Sequence, residues 1–315
     1  MSQQAPSLCR RAVFCFVLGA LSPALLFLTG IPALWMGVRA LRLINASDGR
    51  LRGRRLAVAG MVLGGLGCAA AALGTLALVF EELRVRSQRV ECLNNLRQMG
   101  GAVLNYESTN NAFPPGTVPN AALPPDKRLS WLTTLPPFMD QKTKNARAAQ
   151  ALDEQLDLSL AWDDGGNAVV AHAAVSFCRC PAHPFDDPRI AKGTTSYVGF
   201  AGVGRDAAEL PRGNPFAGIF GYDRVVRRDD LTAGATQTLL ATETARDNGP
   251  WTAGGAATLR GLDRANTPYI GAGRPFGGMH PHGLNVLRAD GGADFMTDGT
   301  APGFFETLTR VWREE

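Results

Sequence analysis

The residues able to do chemistry in this 315-residue chain are few. Of six cysteines, Cys9, Cys15 and Cys68 lie in or beside long apolar stretches, where a thiol behaves as a small apolar group. Cys92, Cys178 and Cys180 lie beyond them, and in an oxidising compartment Cys92 is a candidate disulfide partner of Cys178 or Cys180. A metal reading of Cys178-x-Cys180-x2-His183 supplies three ligands where a closed zinc site takes four, and no second spaced pair accompanies it, so no metal is assigned. The other histidines are His172, His280 and His282, and Asp290 follows His280 by ten positions. Ten extended residues span about 33 Å, so a His280–Asp290 contact requires residues 281–283 to fold back. The plainer expectation is a hydrogen-bonded His280 before a strand and an Asp290 that serves a turn. Acidic pairs at Asp163-Asp164, Asp186-Asp187 and Asp229-Asp230 suit a hard cation but also ordinary solvated loops. A nucleophile elbow, a P-loop and a His-Glu-x-x-His pair are all missing, and the glycines of Gly199–Gly204 do not follow the dinucleotide spacing. No catalytic residue and no cofactor is therefore expected, and the chain reads as a non-enzyme.

The elements that must position these residues follow from charge and periodicity. The chain is 45% hydrophobic, 19% charged and formally +4, but the charge is uneven. Residues 1–80 carry eight Arg and one acid, a net of +7, and residues 81–315 a net of −3. That remainder lacks the basic surplus that nucleic-acid binding needs. Ala12–Val38 and Leu56–Phe80 are free of charge and long enough to cross a hydrocarbon core, which predicts two transmembrane helices, the first kinked or partly re-entrant at Pro23 and Pro32. Arg39–Arg55 between them holds six Arg, so the positive-inside rule puts this loop in the cytoplasm and sends the N-terminus and residues after Phe80 outside. Gly60 and Gly64 form a small-xxx-small pair for close helix packing, with the first helix as one partner.

After Phe80 no breaker occurs until Pro114, and Leu93, Leu96, Gly100, Val103 and Leu104 recur at helical spacing, so the second membrane helix is expected to run on to about Thr109. Beyond it, short apolar runs between Gly, Pro, Asn and Asp predict strands at Ala174–Phe177, Ser196–Phe200, Gly218–Tyr222 and Gln237–Ala241. A hairpin joins Leu284–Arg288 to Ala293–Met296 through Asp290-Gly291-Gly292. A short helix after Pro302 is expected to bury Phe304, Phe305, Leu308 and Val311 or Trp312. The fold class is α+β: two transmembrane helices, the second continuing into a long helix (81–110) packed on an antiparallel sheet region (114–300), then a C-terminal helix (302–312). The domains are 1–80, a two-helix membrane domain, and 81–315, extracytoplasmic.

Residues 91–314 also resemble a pilin-like family of unknown function, abundant in planctomycete bacteria and marked by a C-terminal His, nine residues, then Asp-Gly. The matching stretches are ECLNNLRQMGGAVLNYEST with FPPG, SWLTTLPPFMDQ, SFCRCP, TSYVGFAGVG, GIFGYDRVVRRDDLTAGATQTLLATET and GPWTAGG, ending on His280, Asp290 and Gly291. Residues 12–80 resemble a two-helix membrane domain of unknown function through LTGIPALWMGVRAL and GRRLAVAGMVLGGLG, and neither apolar stretch carries the Glu of a prepilin leader. The resemblance implies a helix-plus-sheet domain outside the cytoplasmic membrane and brings no catalytic residues. The expected role is that of a multi-pass, membrane-anchored envelope protein in structure, assembly or recognition, with the lipid bilayer, envelope proteins or copies of itself as partners and no nucleic acid. The alternative is an extracellular ligand- or cation-binding module.

Overall fold

A computed structural model describes residues 7–313 apart from 26, 185, 186, 188 and 189, so Asp186 of the second acidic pair lies outside the described residues. The chain forms two compact units, Met1–Arg84 and Val85–Glu315.

In the first unit the long apolar stretch does not form one span. It forms α1 (Arg10–Leu25) and α2 (Phe27–Asn45), with Pro32 inside α2. The two fold back on each other, because the Cys15 thiol donates to Ala33 O at 3.2 Å and also lies 3.4 Å from Ala57 O. At 1.5 Å per residue α1 is about 24 Å long, short of a hydrocarbon core of about 30 Å. Among the described residues one helix is long and apolar enough to cross a membrane, α3 (Arg54–Asn110, 57 residues), where two had been expected. Two short strands, β1 (Ser7–Leu8) and β2 (Leu51–Arg52), pair in parallel and set Ser7 beside Leu51. The N-terminal segment therefore lies next to the Arg-rich loop, not at the opposite end of the helices as the two-span reading had it.

The small-residue pair of α3 works within the chain. A Cβ at Gly60 would sit 2.5 Å from Cys15 O of α1, and one at Gly64 would sit 3.0 Å from Ala33 Cβ and Gly30 O of α2. Backbones this close leave no room for a side chain. Gly60→Leu is expected to pry the α1–α2 hairpin from α3 and raise maleimide labelling of the buried Cys15 several-fold in detergent. Gly74→Leu, whose added side chain meets nothing within 4 Å of its Cβ, should leave labelling unchanged, and mass spectrometry of the labelled protein reads both.

The second unit holds the C-terminal half of α3, then α4 (Lys144–Asp153), α5 (Gly165–Ala171), five strands and α6 (Pro302–Thr309). The strands are β3 (Tyr197–Val203), β4 (Leu239–Glu243), β5 (Leu259–Leu262), β6 (Gly283–Arg288) and β7 (Ala293–Thr297), in the order β5-β3-β4-β6-β7. The sheet is mixed, not antiparallel, because β5 runs parallel to β3. The expected β6–β7 hairpin forms with Leu284 opposite Met296 and Leu287 opposite Ala293. Two expected strands do not: residues 176–178 form a 3-10 turn, and 218–222 run beside β3 with isolated hydrogen bonds and no continuous ladder.

Strand alternation gives the sheet two covered faces. In β6, Leu284 and Val286 point into a cluster with Phe200, Phe276, Phe305 and Leu308, which α6 closes. Leu287 points the other way, into the cluster that buries Cys92, Leu96, Met99 and Val103 of α3. In α6 the expected Phe304 is 56% exposed while Phe305 and Leu308 are buried, so the apolar face is narrower than anticipated. Val311 is buried just past the helix end, while Trp312 is half-buried. The acidic pairs serve local structure: Asp163 pairs with Lys127, the Asp164 carboxylate accepts from Gly165 N at 2.8 Å to cap α5, and Asp230 binds Arg212 at 2.6 Å.

Asp153 ends α4, where an anion also opposes the helix dipole. Burial, and then the neighbouring Glu154, raise its carboxyl to about 6. A carboxyl whose folded value is raised binds more protons folded than unfolded, so stability falls as pH rises from about 4 through 6. Asp153→Asn should therefore raise the thermal midpoint at pH 7.5 and lose that advantage at pH 4, a comparison that calorimetry at the two values makes directly.

Candidate functional site

Four titratable side chains far apart in sequence converge where α3 meets the sheet. Cys92 is the first fully buried residue of the α3 stripe, and Leu96, Met99 and Val103 continue it at spacings of four, three and four residues, one helix face. Glu243 ends β4, opposite Tyr197 of β3. Cys180 follows the 3-10 turn at Ser176–Cys178, its N–H donating to Ser196 Oγ at 2.9 Å. His280 precedes β6 in a tight turn in which His280 bridges Gly283 and His282 adopts φ +64°.

One ligand atom from each of Cys92, Cys180, Glu243 and His280 lies within 4.8 Å of the others, and all four residues are buried. His280 Nε2 stands 3.3 Å from Cys180 Sγ and 3.5 Å from Glu243 Oε2. The Cys92 thiol donates to Glu243 Oε2. A surrounding layer holds these groups in place. The Asn285 amide donates to Glu243 Oε1 at 2.9 Å and its side chain to Oε2 at 3.2 Å, while the Tyr197 hydroxyl donates to Cys92 Sγ at 3.1 Å. Asn95, one turn along α3, donates to the Tyr197 hydroxyl at 3.3 Å and to Arg179 O at 3.0 Å.

The electrostatics follow from burial. Desolvation pushes the Cys92 thiol well above its usual range, helped by Cys180 and Glu243. Tyr197 is raised for the same first reason, with Cys92 next. At His280 burial works against the charged ring, but hydrogen bonds to Cys92 and Glu243 outweigh it and bring the imidazole up to about 9. Two thiols, an imidazole and a carboxylate are a soft-to-borderline donor set able to hold a metal ion. The side chains of His280 and Glu243 are only 1% and 0% exposed.

Of the residues singled out in the sequence, Cys92, Cys180 and His280 thus meet. The structure carries all six cysteines as free thiols, with Cys178 buried outside the cluster. Asp290 accepts from Gly292 N at 2.9 Å in the β6–β7 turn, and its neighbour Gly291 has φ +82°, so the two ends of the His-x9-Asp-Gly motif serve different places. His282 is exposed and outside the cluster. Glu243, Tyr197 and Asn285 carry no sequence motif, although an acid one residue beyond the apolar run Leu239-Leu240-Ala241 is a signal of a buried, partnered carboxylate.

A larger depression of about 520 Å3 lies beside Tyr222, Arg212 and Arg224. Two of the three arginines that line it are committed, Arg212 to Asp230 and Arg224 to the carbonyls of Gly218 and Ala201 at 3.1 and 3.0 Å.

With this geometry in view, one comparison is decisive. A family described as a protein of unknown function (DUF1559) matches residues 84–267, more than half of the chain. The chain belongs to this family. The match includes Cys92, Cys180 and Glu243 and ends before His280. No curated protein and no solved structure matches the chain.

Seating of α3 on the sheet sets the position of Cys92. A Cβ at Gly100 would lie 2.8 Å from both Gly291 O and Leu287 Cδ1, so α3 touches the β6–β7 turn backbone to backbone. Gly100→Val overpacks this contact at a cost of about 1–3 kcal/mol. We expect a midpoint lower by roughly 2–10 °C for a domain of this size, measured by thermal unfolding. Gly101→Ala, which faces open space, should match or exceed the wild type.

Proposed function

We propose that this member of the DUF1559 family is a non-enzymatic envelope protein, which displays residues 85–315 outside the cytoplasmic membrane in a structural, assembly or recognition role. The observation that carries the reading is the two-solvent character of α3. Leu66, Leu73, Leu78 and Phe80 are 64%, 68%, 73% and 63% exposed, which an apolar helix tolerates only in lipid or against another apolar surface, whereas Cys92 to Val103 of the same helix form a domain core. A helix that is anchor at one end and core at the other, packed on a sheet, is the pilin-like arrangement. Self-association or contact with other envelope proteins is the partnership such a display serves, and the net −3 of residues 81–315 supports no nucleic-acid role.

The topology we propose differs from a two-span hairpin. With α1 and α2 folded together and Ser7 beside Leu51, all eight Arg of residues 1–80 share one side, as the positive-inside rule favours, and α3 alone crosses. Single cysteines placed at Ser7, Asp48 and Gln155, all exposed, test this in spheroplasts with a membrane-impermeant maleimide. Gln155→Cys should label in intact spheroplasts, and Ser7→Cys and Asp48→Cys only after permeabilisation. Labelling of Ser7→Cys together with Gln155→Cys restores the two-span arrangement, and protection of Gln155→Cys defeats the display reading.

A further inference from the structure

Glu243 is a carboxylate at 0% exposure whose ion-pair partner among the described residues is the His280 imidazole, with Nε2 at 3.5 Å, and not a Lys or Arg. A buried charge of this kind is either matched by a cation or coordinates a metal. Its neighbours are two thiols and an imidazole nitrogen, each with a ligand atom turned to the same point.

We propose that Cys92, Cys180, Glu243 and His280 bind one zinc ion in a closed structural site, which ties α3 to the sheet. The donor set is the first reason. Two thiolates and an imidazole select zinc over the hard cations, and four protein ligands leave no open position, the mark of a structural site.

Spacing is the second reason. Bonds of about 2.3 Å to sulfur and about 2.0 Å to nitrogen and oxygen in a tetrahedron put sulfur and nitrogen about 3.6 Å apart and nitrogen and oxygen about 3.3 Å apart. The corresponding separations are 3.3 Å for Cys180–His280 and 3.5 Å for His280–Glu243. Binding widens the Cys92–Glu243 contact by replacing the thiol proton with the metal.

The outer layer is the third reason. Zinc with two thiolates and a carboxylate leaves one net negative charge, and donors are already aimed at it: the Tyr197 hydroxyl at Cys92 Sγ, the Asn285 amide and side chain at Glu243. His280 and its turn line an open surface depression of about 400 Å3 with Asp298, which provides the access path a buried site needs.

The ligands come from α3, the loop before β3, the end of β4 and the turn before β6, so one ion joins four segments that no local sequence links. It would do the work otherwise assigned to a Cys92–Cys180 disulfide, and the two outcomes exclude each other. The zinc proposal concerns residues 85–315 alone and does not depend on the side of the membrane they occupy.

The test uses the full chain purified in detergent without chelator. Metal content by plasma mass spectrometry should give about one zinc per chain for the wild type and for Cys178→Ser, whose thiol is buried outside the cluster, and about tenfold less for Cys92→Ser and His280→Ala. Chelation of the wild type should lower its thermal midpoint by roughly 10 °C or more, reversibly on adding zinc. Because ligand variants also lose packing, stripped wild type is reloaded with Co(II). Thiolate-to-cobalt charge-transfer bands and strong tetrahedral visible bands are expected, and Glu243→Gln should alter the visible bands. A wild type that carries no zinc and develops no cobalt spectrum overturns the proposal, whether Cys92 and Cys180 are then free or joined. So does zinc that stays undiminished in both Cys92→Ser and His280→Ala.

Discussion

The apolar stripe Cys92–Leu96–Met99–Val103 has to leave water, and in this chain a sheet face receives its three turns of helix. That requirement organises residues 85–315. The sheet turns Tyr197, Leu240 and Leu287 toward α3, and its opposite face, with Val198, Phe200, Leu284 and Val286, is then left to a second cover supplied by α6 and the Tyr269–Phe276 segment. A sheet buried on both faces has strands that read as continuous apolar runs, which is why all five residues of β4 are buried. The same packing brings Gly100 against Gly291 and so fixes how deep Cys92 sits.

Polar groups in such a core need partners, and most of those gathered here have them, although Asn285 Oδ1 and His280 Nδ1 make no hydrogen bond among the described residues. Glu243, Cys92 and Tyr197 satisfy one another and draw on Asn285 and Asn95, forming a polar island inside an otherwise apolar interface between helix and sheet. Side chains recruited from the Cys180 loop and the His280 turn finish the island, so loops without regular structure are held to the core by chemistry and not by ladder hydrogen bonds. Stability and site are one construction here.

In the first unit the same economy of space appears in apolar form. Glycines at 60 and 64 let α3 meet α1 and α2 at backbone distance, and Cys15 fills the remaining gap while donating to Ala33 O. Pro23 and Pro32 made a kinked or partly re-entrant first stretch legible, but charge-free length alone cannot separate one span from two short antiparallel helices. The pairing of Ser7 with Leu51 decides it, and that is a contact across more than forty residues.

Much of the architecture was written in local pattern. The uninterrupted run from Arg54 to Asn110, the β6–β7 hairpin with its Asp290-Gly291-Gly292 turn, and strands near β3 and β4 follow from periodicity and turn chemistry, which act over a few residues. Parallel β5 beside β3, the 3-10 turn at Ser176–Cys178 and the exposure of Phe304 beside a buried Phe305 depended on what each segment meets in space. The candidate site shows the division most sharply. Cys92, Cys180 and His280 were visible as isolated residues of suggestive type, but their intervals follow no metal spacing, and no local pattern marked Glu243 as their partner. Residue type is a property of the sequence, whereas a ligand set is a set of distances, and only the docking of α3 on the sheet brought these four within 4.8 Å.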